Sequence, residues 1–214
     1  MKLKVVPVGP YGVNCCLVWE DPSQTWVFDP GADLERIVRA LSSAGLTCAA
    51  VFMTHGHFDH ISAVNRLLSA VGTEVPVHLH PADAEFAFSP FNASPPDYPP
   101  TSRPNSLVTD LADGLTLESG GLSARVIGTP GHTPGGCCYW FESGGVLLSG
   151  DTLFAGSIGR TDFPGGSPAQ MRDSLRRLMA LPENLRVICG HGPETSVGEE
   201  KRYNPFREMW DDIP

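Results

Sequence analysis

The first third of the chain runs in short apolar bursts. "LKVVPV" (3–8), "NCCLVWE" (14–20) and "TWVFDPG" (25–31) are each of strand length, with turn residues between them. That pattern predicts an antiparallel meander. In "DLERIVRALSSAG" (33–45), Leu34, Ile37, Val38 and Leu41 recur at helical spacing before a glycine stop. "AAVFMT" (49–54) is too short and too uniformly apolar for a surface helix and reads as a buried strand. Ile61, Val64, Leu67, Leu68 and Val71 then mark one face of a second helix. "EVPVHLH" (74–80) resembles a strand, and "PADAEFAF" (81–88) a short helix with proline near its start. Residues 89–106, "SPFNASPPDYPPTSRPNS", are dense in proline and read as a long irregular loop. Strands are expected at 115–118, 123–128, 136–142 and 146–149, a helix at 168–181, the strand "RVICG" and a last helix near 198–210. With no repeat, low-complexity tract or linker, residues 1–214 read as one domain, two sheets with helices on their outer faces.

Composition narrows the partners. Hydrophobic residues make up 41% of the 214, enough for a substantial core. No apolar run approaches the ~20 residues of a membrane span. The start, "MKLKVVPVGPYG", meets proline and glycine before a secretory apolar region could form. A formal net charge of -9 argues against nucleic acid or an anionic membrane as partner. The six cysteines include the adjacent pairs Cys15–Cys16 and Cys137–Cys138, and no Cys-x-x-Cys occurs. Strand neighbours point to opposite faces, so these pairs suit buried thiols, and a cytoplasmic, reducing compartment is expected. Cys189, two residues before His191, is the one thiol placed near candidate chemistry.

That chemistry begins at "THGHFDH" (54–60), which crowds His55, His57, Asp59 and His60 between a buried strand and a helix. A hydrogen-bonded turn capping the helix through Asp59 is the plainer explanation. Four ligand-type residues cannot all serve one tetrahedral ion and leave room for water and substrate, so two adjacent ions explain the crowding better. Two ions need more donors at strand ends. "GTPGHTPGG" supplies His132, "VLLSGDTLF" supplies Asp151 and "RVICGHGPET" supplies His191. A buried carboxylate at the end of an apolar strand is costly without such a partner. His78 and His80, in "VPVHLHP", form another His-x-His that nothing nearby completes, so a structural role is expected, with His80 capping or contacting the next helix.

Thr-His-x-His-x-Asp-His, followed by the later His, Asp and His, resembles the metallo-β-lactamase-fold hydrolases over nearly the whole chain. Within them, "GDTLFAGSIGRTDFPGG" and "GHGPETSVGEEKRYNPF" are similar to the glyoxalase II-like, hydroxyacylglutathione hydrolase group. The resemblance implies a four-layer αββα sandwich, an α/β (α+β) fold with its site at the edge between the sheets. It implies one metal on His55, His57 and His132, a second on Asp59, His60 and His191, and Asp151 bridging both. Two divalent ions about 3.5–4 Å apart can share a hydroxide that attacks a carbonyl carbon, with Asp59 orienting it through its second oxygen. The ligands suit zinc first, with iron and manganese as alternatives. The substrate expected is a small thioester, a glutathione conjugate such as S-D-lactoylglutathione. Its thiolate leaving group, with a thiol pKa of about 8.5–9, needs little acid assistance.

Arg160, nine residues after Asp151, stands where the glyoxalase II enzymes, by resemblance, carry a lysine that holds the glutathione carboxylate. A guanidinium can take a carboxylate bidentately; pairing with Asp162 is the plain alternative. The helical C-terminal domain of the larger enzymes has no counterpart before Pro214. The loop 89–106, with Phe91 and Tyr98, is a candidate cover for the site or a plain surface loop. Two other activities compete. Persulfide dioxygenases share the fold and a "GRTDF" stretch but use one iron, which His55, His132 and Asp151 would hold; other hydrolases of the fold act on lactones, phosphodiesters or β-lactams. The sequence leaves the oligomeric state open.

Overall fold

The computed structural model describes residues 1–210. Strands β1 (Lys2–Val8), β2 (Val13–Trp19) and β3 (Thr25–Phe28) form the expected antiparallel meander. Helix α1 (Leu34–Ser43) crosses over to β4 (Cys48–Phe52), which pairs parallel to β3. Two short strands, β5 (Val77–His78) and β6 (Leu107–Val108), extend the sheet in parallel, giving six strands in chain order. The second sheet is built from β7 (Thr116–Ser119), β8 (Leu122–Gly128), β9 (Cys137–Phe141) and β10 (Val146–Gly150). Past a small hairpin, β11 (Leu153–Phe154) and β12 (Ser157–Ile158), the chain adds β13 (Arg186–Cys189) and β14 (Thr195–Ser196) to it. The order is β14-β13-β10-β9-β8-β7.

Alternation along the strands sorts the apolar side chains into three seams. Cys15, Leu17, Val27 and Val51 face α1 and α3 (Val64–Val71), meeting Ile37, Leu41 and Leu67. Cys16, Val18, Trp26, Phe28 and Phe52 face the other sheet and meet Val126, Cys137, Tyr139, Phe141 and Leu148. Cys138, Leu147, Val187 and Cys189 pack under α5 (Pro168–Met179), against Met171, Leu175 and Leu178. The molecule is therefore the αββα sandwich the resemblance implied. Each adjacent cysteine pair splits between two seams, and all six thiols are free and buried.

Four helical elements differ from expectation. The helix after the histidine cluster is two: α2 (Phe58–Ile61), then α3. The Ala63 amide donates to the Pro30 carbonyl (3.1 Å) instead of continuing the ladder. The Pro168 helix ends at Met179, two residues early. The last helix is α6 (Val197–Tyr203) and stops at Asn204, because Pro205 cannot donate to the ladder; a 3-10 turn at Arg207–Met209 follows. "PADAEFAF" becomes a 3-10 turn at Pro81–Asp83 capped by His80, whose Nδ1 accepts from the Ala82 amide (3.2 Å), leading into α4 (Ala84–Ala87). His78 bonds Asp110 (2.9 Å) and stacks on Phe52, a structural role as expected. Among the described residues no helix is long and apolar enough to cross a membrane.

Candidate metal centre

The seven candidate donors leave four strand ends at one rim of the sandwich. His55, His57, Asp59 and His60 follow β4, while His132, Asp151 and His191 follow β8, β10 and β13. Their donor atoms gather into trios lying within 4.8 Å: His55, His57 and His132; Asp59, His60 and His191; and His55, His60 and Asp151, which links the first two. Nε2 of His55 lies 3.0 Å from Nδ1 of His57, which lies 2.9 Å from Nε2 of His132. Across the site, Nε2 of His60 and of His191 are 3.2 Å apart. Asp151 sits between, Oδ1 at 3.4 Å from His60 and Oδ2 at 3.5 Å from both His132 and His191. Asp59 Oδ2 is 3.4 Å from His191 and 3.9 Å from His60.

The outer ring nitrogens decide what these contacts mean. Nδ1 of His60 bonds Asp29 Oδ2 (3.0 Å), Nδ1 of His132 the Arg160 carbonyl (2.8 Å), and Nδ1 of His191 the Tyr11 carbonyl (2.9 Å). Those oxygens only accept, so each ring carries its hydrogen on Nδ1 and, when neutral, turns a bare Nε2 inward. The Thr54 hydroxyl donates to Asp29 (2.7 Å) and so accepts from His55 Nδ1 (3.1 Å), with the same result. Bare nitrogens facing one another at about 3 Å repel unless positive charge lies among them. Asp151 Oδ1 is buried with no hydrogen-bond partner, a second sign that the centre is built around a cation. The donor set suits divalent metal ions.

The charge balance differs between the two sides of the centre. Burial opposes charge on His60, yet Asp151, Asp59 and Asp29 outweigh it and hold its pKa well above the usual histidine range. His191 is pushed up to about 10, burial again losing to its bonds with Asp151 and Asp59. On the other side burial prevails, aided by neighbouring rings: His55 is driven well below the usual range and His57 to about 4. Burial would raise Asp151, but His60 and His191 hold it well below the usual carboxylate range.

Local supports fix this geometry. Asp29, in the left-handed region at φ 48, a conformation aspartate tolerates, turns its carboxylate to the Thr54 amide, the Thr54 hydroxyl and His60. Asp83 and Asn92 clamp the peptide at Gly56, between His55 and His57. The sequence reading missed all three. Asp29 carried a findable signal, a carboxylate ending the apolar run "TWVF" as Asp151 ends "VLLSG"; Asp83 and Asn92 carried none. The loop 89–106 is more than surface. Asn92 Oδ1 accepts from the Phe58 amide (3.1 Å), and buried Tyr98 packs on Tyr11 and Phe58, while Phe91 is 90% exposed and covers nothing.

The profile of the metallo-beta-lactamase superfamily matches residues 8–191. This chain belongs to that superfamily. An uncharacterized protein of Aquifex aeolicus is 38% identical over 212 residues, covering 96% of this chain and 97% of its own. The hydroxyacylglutathione hydrolase GloC of Haemophilus influenzae is 32% identical, with coverage of 96% and 98%. Among solved structures, the BLEG-1 B3 metallo-beta-lactamase gives a TM-score of 0.86 at 36% identity, covering 96% and 99% of the two chains. TTHA1623 in a di-iron-bound form gives 0.78 at 37% identity, with coverage of 95% and 99%. ETHE1 from Myxococcus xanthus gives 0.77 at 27% identity, with coverage of 100% and 92%.

Beside the donors opens a cleft of about 440 Å³, walled by Phe154, Ile158 and Pro193 and reaching His132, Asp151 and His191. Arg160 lines it. Its guanidinium is already engaged: Nε and Nη2 donate to Asp162 (2.7 and 2.8 Å), and the group lies 3.7 Å over the Phe163 ring.

Proposed function

We propose that this chain is a dinuclear metal-dependent hydrolase of thioesters, with glutathione conjugates such as S-D-lactoylglutathione as substrates. The observation that carries it is Asp151, whose two oxygens face donors of both trios while one lacks any hydrogen-bond partner. In this reading His55, His57 and His132 hold one ion, Asp59, His60 and His191 the other, and Asp151 is shared. Bound there, two divalent ions supply Lewis acidity and make a hydroxide nucleophile accessible near neutral pH. Zinc is the ion proposed first, with iron or manganese able to fill the same donors.

The residues do the rest. Asp59 offers its second oxygen to orient the attacking water toward the carbonyl carbon. The apolar wall of Phe154, Ile158 and Pro193 shields the acyl or thiol arm, and Arg160, paired with Asp162, stands at its mouth. Cys189 stays out of the chemistry, because burial pushes its thiol up to about 12. A thiolate leaves without a dedicated acid, which favours thioesters over amides. A one-iron persulfide dioxygenase would leave His57, Asp59, His60 and His191 without a task, although the first three are buried and all four are directed inward. We place the enzyme in the cytoplasm, acting on a small molecule.

The test is a metal count and a substrate panel on the same preparation. Two metals per chain with turnover of S-D-lactoylglutathione support the proposal. One iron with oxygen consumption on glutathione persulfide, or turnover of a chromogenic β-lactam alone, would replace it. Asp151→Ala should lower metal content and abolish hydrolysis together.

A further inference from the structure

We propose that Asp83 is a positioning residue that sets the affinity of the His55–His57–His132 trio alone, leaving the Asp59–His60–His191 trio untouched. This rests on the reading that each trio holds an ion. Asp83 is 1% exposed, and its carboxylate has three neutral donors. Oδ2 accepts from the Gly56 amide (2.9 Å) and the Thr133 hydroxyl (2.7 Å), and Oδ1 accepts from the Gly135 amide (2.6 Å). Burying a carboxylate among neutral groups is costly, and these bonds offset the cost only in this geometry.

The positions of the donors are what matter. Gly56 separates His55 from His57, and Thr133 follows His132, so one carboxylate joins two segments that supply all three donors of one trio. The carbonyl of Gly56 accepts from Asn92 (2.8 Å), so the peptide between His55 and His57 is held at both ends. A Cβ on Gly56 would lie 3.0 Å from Ala87 Cβ and Asp83 Cβ, so glycine keeps this approach free of crowding. The second trio hangs on other groups: Asp29 holds His60 and the Tyr11 carbonyl holds His191. Asp29 also reaches His55 through Thr54 and therefore serves both trios. Asp83, among the described residues, makes no hydrogen bond to any part of the second.

Outer-shell substitutions typically weaken metal binding 10–100-fold. The experiment titrates cobalt(II) into the chelator-stripped full chain, following the visible absorption band and the number of equivalents bound. Wild type should take two. Asp83→Asn should bind one equivalent as wild type does and the other about 10–100-fold more weakly, losing the same spectral component as His57→Ala and keeping the one lost in Asp59→Ala. Equal weakening of both equivalents, or of neither, overturns the proposal and makes Asp83 a general structural staple. If Asp83→Asn does not fold, Thr133→Val, which removes one of the three donors, is read the same way with a smaller shift. A wild type that binds a single equivalent overturns the two-ion reading instead. The Asp83 proposal then stands only if Asp83→Asn and His57→Ala both weaken that equivalent and Asp59→Ala does not.

Discussion

The guanidinium of Arg160 lies at the mouth of the cleft with Asp162 in its fork and Phe163 beneath it, and all three are exposed. A substrate carboxylate must displace Asp162, so it gains the difference between two similar pairings. A free guanidinium would give ten- to a hundredfold in kcat/KM; exposed pairs exchanging partners give roughly fivefold or less. Arg160→Ala should therefore raise KM for S-D-lactoylglutathione by about two- to fivefold and leave small thioesters without a carboxylate unchanged. Steady-state kinetics on both substrates check this; equal losses on both would make Arg160 structural. The thiols allow a second prediction at this scale. Burial, before any other cause, pushes Cys48 up to about 12 and Cys138 to about 11. The thiolate is the reactive form, so at pH 8 the folded chain should show no fast-reacting thiol, and all six should label on denaturation. A rapidly labelled cysteine in the native chain would contradict the burial. The grouping of the seven candidate donors was legible because imidazole and carboxylate at strand ends have few other uses. Asp83 and Asn92 were not, because their partners are backbone groups far along the chain, which no local pattern records.

Among the elements, the break between α2 and α3 positions the second trio. The periodic run Ile61–Val71 predicted one helix, since hydrophobic spacing registers the buried face and is blind to a hydrogen bond made elsewhere. Pro30 and Gly31, just after β3, lie directly against α2 and cause that break. A Cβ at Gly31 would fall 1.5 Å from the Asp59 carbonyl oxygen and 3.3 Å from the His60 Cα. Backbone, unlike a flexible side chain, cannot swing aside. Gly31→Ala should thus cost about 3 kcal/mol or more, at the upper end of overpacking, and displace Asp59 and His60 together. Denaturant midpoints and metal content, measured side by side, should both fall; an unchanged midpoint would show that α2 yields freely. The strands and α1 were legible because their apolar periods match what they bury. Among the two-residue strands, β5 falls within the strand expected at 74–80, while β6, β11, β12 and β14 were not legible, being too short to carry a period. The Pro-rich loop was legible as irregular, while its task of holding Gly56 and Phe58 through Asn92 was not.

Across the whole molecule, the donors come from both sheets: four follow β4 of the first, and three follow strands of the second. Ions held there would tie the open rim of the sandwich, while Trp26, Phe28, Tyr139 and Phe141 close its interior. Binding confined to the folded state stabilises it by an amount set by concentration over Kd, about 2.7 kcal/mol per site at a hundredfold excess. For a chain of this size each kcal/mol moves Tm by roughly 2–4 °C, so one ion should contribute about 5–11 °C. Chelation of the purified chain should accordingly lower Tm by at least that much, and added metal should restore it. Asp151→Ala should already show most of the drop and respond little to the chelator, because it faces donors on both sides. Thermal unfolding of the two proteins, each with metal and with chelator, forms a closed set of four measurements. Equal Tm values for wild type in both conditions would mean that no ion binds the folded chain in preference to the unfolded one, and the two-ion centre would be lost with it.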